Sequence, residues 1–123
     1  MRLFRYIPTL LGALALMVAL HGPAFAHAVL MSSTPAEGST VAAGSTELTL
    51  HYNSRIDSGR STVFLTGPDQ VKHQLQPVAG TAPEDVRIAA DLTAPGAYTL
   101  RWQVLAVDGH ITRGNLNFTV KAP

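Results

Sequence analysis

A regular alternation of apolar and polar residues constrains the fold of this chain more than any other feature of its sequence. The alternation runs through residues 46–52, 98–104 and 116–120. In the second of these stretches, Leu100 and Trp102 fall on one face of an extended chain, and the polar residues beside them fall on the other. A period of two is typical of a strand with one buried face. The chain is therefore predicted to consist of β-strands.

Turn-forming residues divide the rest of the chain into similar short pieces. Four shorter strands are predicted at residues 28–32, 62–66, 72–77 and 86–91, with turns at residues 35–38, 57–59, 67–69, 80–83 and 94–96. After residue 26, no stretch of ten or more residues has apolar side chains at helical spacing. This pattern predicts an all-β fold, a seven-stranded antiparallel immunoglobulin-like (Greek-key) β-sandwich with Trp102 packed between its two sheets.

The first 26 residues have the three parts of a secretory signal peptide. Arg2 and Arg5 supply a positive start, Ile7 to Leu20 form an apolar core, and Ala24-Phe25-Ala26 is a small-x-small cleavage site. The apolar core has about 14 residues, fewer than the roughly 20 that span a bilayer. We therefore expect secretion, cleavage after Ala26, and no stable membrane insertion afterwards.

Cleavage would leave residues 27–123, which are enough for one domain. That domain has seven Lys and Arg residues against eight Asp and Glu, without a run of either sign. Neither nucleic acid nor an anionic membrane is therefore an expected partner. The chain has no cysteine, which excludes disulfides, thiolate zinc sites and copper–thiolate sites. Imidazole, carboxylate, amine and thioether groups remain as candidate metal ligands.

The predicted cleavage site gives His27 an unusual chemical position. As the first residue of a mature chain, His27 carries a free α-amine and an imidazole Nδ1 on one short side chain. Together the two nitrogens can close a six-membered chelate ring on a metal ion. An internal histidine has no free amine and cannot form this ring. His27 is therefore a candidate metal ligand.

A second candidate group follows the longest predicted strand, at Asp108-Gly109-His110. Gly109 favours a loop there, and Asp108 and His110 can point the same way as residues i and i+2. A β-sandwich can bring the start of its first strand beside the loop that precedes its last strand. One amine, two imidazoles and one carboxylate would then form a ligand set that suits tetragonal Cu(II).

Several parts of the sequence closely resemble the CopC-type periplasmic copper-resistance proteins. The resemblance is carried by the mature start at residues 27–39 (HAVLMSSTPAEGS), the aromatic-bearing strand at residues 48–52, the Pro95-Gly96-x-Tyr98 turn, and the run from Trp102 through Asp108-x-His110 to Gly114. It covers residues 27–123 and implies a seven-stranded sandwich that binds one Cu(II) per chain. In such a protein, His27 would bind through its amine and Nδ1, His110 through one imidazole nitrogen, and Asp108 would lie near the metal.

The same resemblance implies a role in copper resistance or homeostasis, as a carrier or a sequestering protein. A CopD-type inner-membrane copper transporter, or another periplasmic copper protein, would be the partner that exchanges copper with it. No stable oligomer is expected, and the protein is predicted to act as a monomer.

The sequence departs from the family pattern in two places. Some members have a glutamate near the Cu(II) site just after the aromatic residue of the second strand, where Asn53 and Ser54 stand here. Some also have a methionine-rich Cu(I) loop, but residues 64–78 contain no methionine. Met31 is the only methionine after residue 26, and one thioether cannot form a soft multi-sulfur site. A protein specific for Cu(II) is therefore predicted, with His51 and His73 exposed and outside the site.

Two other classes of function remain open. A metal-free immunoglobulin-like interaction module would have the same fold, since a fold alone does not fix a function. A pair of histidines that includes the N-terminal one is also the copper core of lytic polysaccharide monooxygenases, which are histidine-brace enzymes. Those enzymes are longer chains with a broad flat substrate face, for which residues 27–123 leave little surface. No enzymatic activity is therefore expected.

Overall fold

The computed structural model describes residues 28–123, which fold into two β-sheets packed face to face. The strands are β1 (Leu30–Thr34), β2 (Thr40–Val41), β3 (Gly44–Tyr52), β4 (Ile56–Thr66), β5 (Lys72–Leu75), β6 (Pro77–Ala79), β7 (Asp85–Leu92), β8 (Gly96–Ala106) and β9 (Ile111–Val120). One sheet has the order β1-β3-β7-β6 and the other the order β2-β9-β8-β4-β5. Neighbouring strands are antiparallel, except that β2 runs parallel to β9. The predicted all-β sandwich is confirmed.

The core lies between the sheets and is made by the residues that alternate in the sequence. Leu48, Leu50 and Tyr52 of β3 are fully buried, and Trp102 of β8 is 6% exposed. The Tyr52 and Trp102 rings meet edge to face across the sandwich, with their centroids 5.3 Å apart. Burying an aliphatic side chain such as Leu48 or Leu50 contributes about 1.5–3 kcal/mol. The predicted place of Trp102 between the sheets is confirmed.

The strand count differs from the seven predicted, because the described residues include two further short strands. The segment predicted as one strand at residues 72–77 divides into β5 and β6, which belong to different sheets. The chain passes from one sheet to the other at Gln76, just before Pro77. The second additional strand is β2, which pairs with β9 through two residues only.

The turn predicted at residues 57–59 was wrong, because these residues lie inside β4. The pairing of β4 with β8 is irregular between Asp57 and Thr62, which marks a β-bulge. The Ser61 hydroxyl stabilises this irregularity by donating to the Asp57 carbonyl oxygen at 2.8 Å and accepting from the Leu105 N–H at 3.1 Å. The polar residues that indicate a turn therefore form a bend within one strand.

No helix among residues 28–123 is long and apolar enough to cross a membrane. The predicted signal peptide and His27 lie outside the described residues.

Gly114 is required by the packing of Trp102. The two residues are paired across β8 and β9, and a Cβ atom added at Gly114 would lie 2.3 Å from Trp102 Cζ2. The indole ring therefore covers the glycine, and no side chain fits beneath it without a shift of the ring. Trp102 is held in place on its other side by Tyr52.

We therefore expect Gly114→Ala to lower the free energy of unfolding by about 1–3 kcal/mol, the usual cost of overpacking a core. Urea denaturation, followed by the fluorescence of the single tryptophan, measures the change. Gly59→Ala is the matched control, because the nearest atom to its added Cβ is Asp57 Oδ1 at an ordinary 3.6 Å. Equal stability of the two variants would contradict the account of Gly114.

Candidate metal centre

The predicted Asp108-Gly109-His110 loop joins β8 to β9 at one end of the sandwich. The Gly109 N–H donates to the Ala106 carbonyl oxygen, and the Ala106 N–H donates to the His110 carbonyl oxygen, both at 2.9 Å. Gly109 has a φ of 94°, in the region that favours glycine. The hairpin turns within four residues, and both candidate ligand side chains lie in the loop.

Asp108 and His110 contact each other through two pairs of atoms. Asp108 Oδ1 accepts a hydrogen bond from the His110 backbone N–H at 3.1 Å, and Oδ2 lies 3.1 Å from the His110 Nδ1. The hydrogen bonds from the backbone and then the side chain of His110 hold the pKa of Asp108 below its usual value. Asp108 is therefore an ionised carboxylate at neutral pH, and the loop brings the two residues together as predicted.

Because Nδ1 of His110 contacts Asp108, the two nitrogen atoms of the ring have different roles. A neutral imidazole that donates its Nδ1 proton to a carboxylate carries its lone pair on Nε2. Histidines that bind metals commonly have this arrangement, since the carboxylate fixes the tautomer and orients the ring. In the described structure, Asp108 acts on His110 directly.

Hydrogen bonds also bring the start of the described chain to this end of the sandwich. Ala28 is fully buried, and the Val29 N–H donates to Asn53 Oδ1 at 2.7 Å. The Asn53 N–H donates in return to the Val29 carbonyl oxygen at 3.1 Å. Two residues further along, the Arg55 carbonyl oxygen accepts from the Val107 N–H at 3.1 Å. The connection between β3 and β4 thus contacts both the chain start and the candidate metal loop.

Asn53 has a role that the sequence analysis did not identify. Its side-chain oxygen anchors the chain start by accepting a hydrogen bond from the Val29 N–H. The only signal in the sequence was an amide residue at the end of a strand, which does not reveal its partner 24 residues earlier.

The described residues alone do not form a complete metal site. Within residues 28–123, no group of three or more His, Cys, Asp or Glu side chains lies close enough together to hold a metal ion. Asp108 and His110 are two of the three predicted ligand residues, and the third, His27, precedes the described range. His73 is exposed on β5, and Met31 is 61% exposed on β1.

His51 has a partner that the sequence analysis did not predict. It lies on the outward face of β3, about half exposed, and its Nδ1 contacts Asp85 Oδ1 on the neighbouring strand β7. The predicted exposure of His51 is confirmed. The two residues are 34 positions apart, so only the register between β3 and β7 reveals the pair.

Known relatives resemble the chain over most of its length. Copper resistance protein C of Xanthomonas campestris pv. juglandis is 30% identical, with 96% of this chain and 98% of the relative aligned. Copper resistance protein C of Pseudomonas syringae pv. tomato is 36% identical over 78% of this chain and 82% of its own length. Protein YobA of Escherichia coli K12 is 33% identical over 79% of this chain and 81% of its own length.

Solved structures have the same fold. PcoC from Escherichia coli, described as a methionine-rich copper resistance protein, superposes with a TM-score of 0.65 and 27% identity over 78% of this chain and all of its own. CopC from Methylosinus trichosporium OB3b gives a TM-score of 0.68 over 77% of this chain and 94% of its own, and at 24% identity it supports the fold alone. The CopC domain family model matches residues 30–121. This chain therefore belongs to the CopC family.

Proposed function

We propose that the protein is exported to the periplasm, loses residues 1–26, and there binds one Cu(II) ion per chain in copper resistance or homeostasis. Two of its relatives are named copper resistance protein C, and the CopC domain model covers residues 30–121. The observation that carries the proposal is the Asp108–His110 pair, which lies at the end of the sandwich where the described chain begins.

The donors of the proposed site have distinct roles. His27 binds through its α-amine and Nδ1, and His110 binds through Nε2, so three nitrogen atoms hold the ion. Asp108 supplies the negative charge and orients the His110 ring through Nδ1. This ligand set contains no sulfur, and it favours Cu(II) over Cu(I).

The exposure of the pair favours a role in transfer. The side chains of His110 and Asp108 are 55% and 34% exposed, so incoming ligands from another protein can reach the ion. We propose that the protein carries or sequesters Cu(II) without a catalytic step. A CopD-type inner-membrane transporter or another periplasmic copper protein would exchange the ion by ligand replacement.

The proposed chelate requires a free amine on His27. A glycine added before His27 turns that amine into an amide, and we expect the affinity for Cu(II) to fall about a hundredfold or more. Competition with a Cu(II) chelator measures the affinity, and mass spectrometry of each exported protein verifies its first residue. Equal affinity with and without the added glycine would rule out the proposed chelate.

His110→Ala is expected to weaken Cu(II) binding more than Asp108→Ala, because it removes a donor, whereas the second variant removes the group that orients it. For Asp108→Ala we expect a loss of about 10–100-fold. His73→Ala is the matched control, since His73 lies on β5 and should leave affinity unchanged. All three variants should stay folded without copper, because the core lies away from the loop. A larger loss for Asp108→Ala would instead make the carboxylate the stronger ligand.

Reduction should release the ion. Met31 is the only thioether after residue 26, and one sulfur atom does not hold Cu(I) tightly. Under reducing, oxygen-free conditions, a Cu(I) chelator should therefore remove all copper from the protein, and Met31→Ala should behave like the native chain. Tight retention of Cu(I) in this competition would contradict a site specific for Cu(II).

A further inference from the structure

The outward face of the five-stranded sheet carries three positive side chains. Arg113 lies on β9, Arg101 on the neighbouring strand β8, and Lys72 on the edge strand β5. All three are exposed, while the residues that alternate with Arg101 on β8 are buried in the core. We call this surface, defined by Lys72, Arg101 and Arg113, the basic face.

The side chains of Lys72, Arg101 and Arg113 border the same surface depression. Lys72 Nζ lies 4.5 Å from the centre of the Phe64 ring on β4, and Arg113 Nε donates to Gln103 Oε1 on β8 at 2.7 Å. Arg101 lies between them, paired across the strands with Phe64. The three side chains line a single surface depression of about 290 Å³.

Carboxylates of the described chain do not neutralise the basic face. Within residues 28–123, no Asp or Glu lies within ion-pair distance of its three cations. Asp57 on β4 is already paired with Arg60, at 3.6 Å. Glu37 accepts hydrogen bonds from the backbone and side chain of Asn117 on β9. The observed partners of the basic face are an aromatic ring and a neutral amide.

The opposite surface of the sandwich has the opposite character. The outward positions of β3 and β7 carry Glu47, Asp85 and Asp91, together with one arginine, Arg87, which is 3.5 Å from Glu47. Although the described chain is nearly neutral in total, its charge is therefore divided between two faces. Such a division steers association with a charged partner.

We propose that the basic face docks an acidic segment of a partner protein, whose Asp or Glu side chains enter the depression. Convergent cations repel one another, and carboxylates relieve that repulsion while accepting paired hydrogen bonds from arginine. Arg113 follows His110 by three residues, about 10 Å along β9, so a docked partner lies beside the candidate metal centre. Docking does not depend on copper, and this inference stands apart from the proposed function.

The test uses the exported, copper-free protein and a blocked peptide, acetyl-Gly-Glu-Gly-Glu-Gly-Glu-Gly-amide. In a nitrogen-15 NMR titration, we expect the amides of Phe64, Arg101 and Arg113 to shift most. Arg101→Gln/Arg113→Gln should weaken binding about tenfold, and the same peptide with glutamine in place of glutamate should not bind.

The matched control is Arg60→Gln/Arg87→Gln, which removes the same charge from side chains that already have carboxylate partners. It should change the affinity by less than about twofold. Equal losses in the two double variants, or no binding at all, would overturn the proposal. If the peptide does not bind, two further measurements identify what the face does instead. Binding to phosphatidylglycerol vesicles that is lost in Arg101→Gln/Arg113→Gln would assign the face to a membrane. Self-association in sedimentation that is lost in the same variant would assign it to a second copy, and either result would overturn the proposal.

Discussion

The antiparallel pairing of β8 with β9 is the interaction on which the rest of the molecule depends. It runs from Gly96–Val120 to Leu105–Ile111 without a register shift. A slip of one residue would turn every side chain of a strand to the opposite face. Trp102 lies over Gly114 only in the observed register. The same register closes the candidate metal loop and places Arg101 and Arg113 of the basic face on the outward side of the sheet. The core, the loop and this surface therefore all depend on the pairing of β8 with β9.

The local part of the fold could be predicted from the sequence, because strands that have one buried face show a period of two. The prediction failed where a local pattern has two physical outcomes. Polar residues at 57–59 look like a turn, but the Ser61 hydroxyl binds the Asp57 carbonyl oxygen and the Leu105 N–H of β8, and the strand continues. Residues 72–77 look continuous, yet the chain changes sheets at Gln76. Both outcomes depend in part on strands that are distant in the sequence, β8 in the first case and the two separate sheets in the second.

The same distinction separates the parts of the site. Asp108 and His110 are two residues apart, so a loop alone brings them together, and the sequence predicted their proximity. His51 meets Asp85 only because β3 and β7 pair in one register. The basic face combines side chains from three strands, two of them in one hairpin and the third on β5, so its charges do not form a run in the sequence. The place of His27 in the proposed site remains a prediction.

The anchoring of Ala28 and Val29 determines how a donor at the chain start would be delivered. Ala28 is fully buried, and the Val29 N–H is bound by Asn53 Oδ1, so the first described residues are held at the candidate metal centre's end of the sandwich. The anchor consists of residues 28, 29 and 53, all of which follow the proposed cleavage site. Peptidase cleavage, more than folding, would then be the step that makes the protein competent to bind its metal.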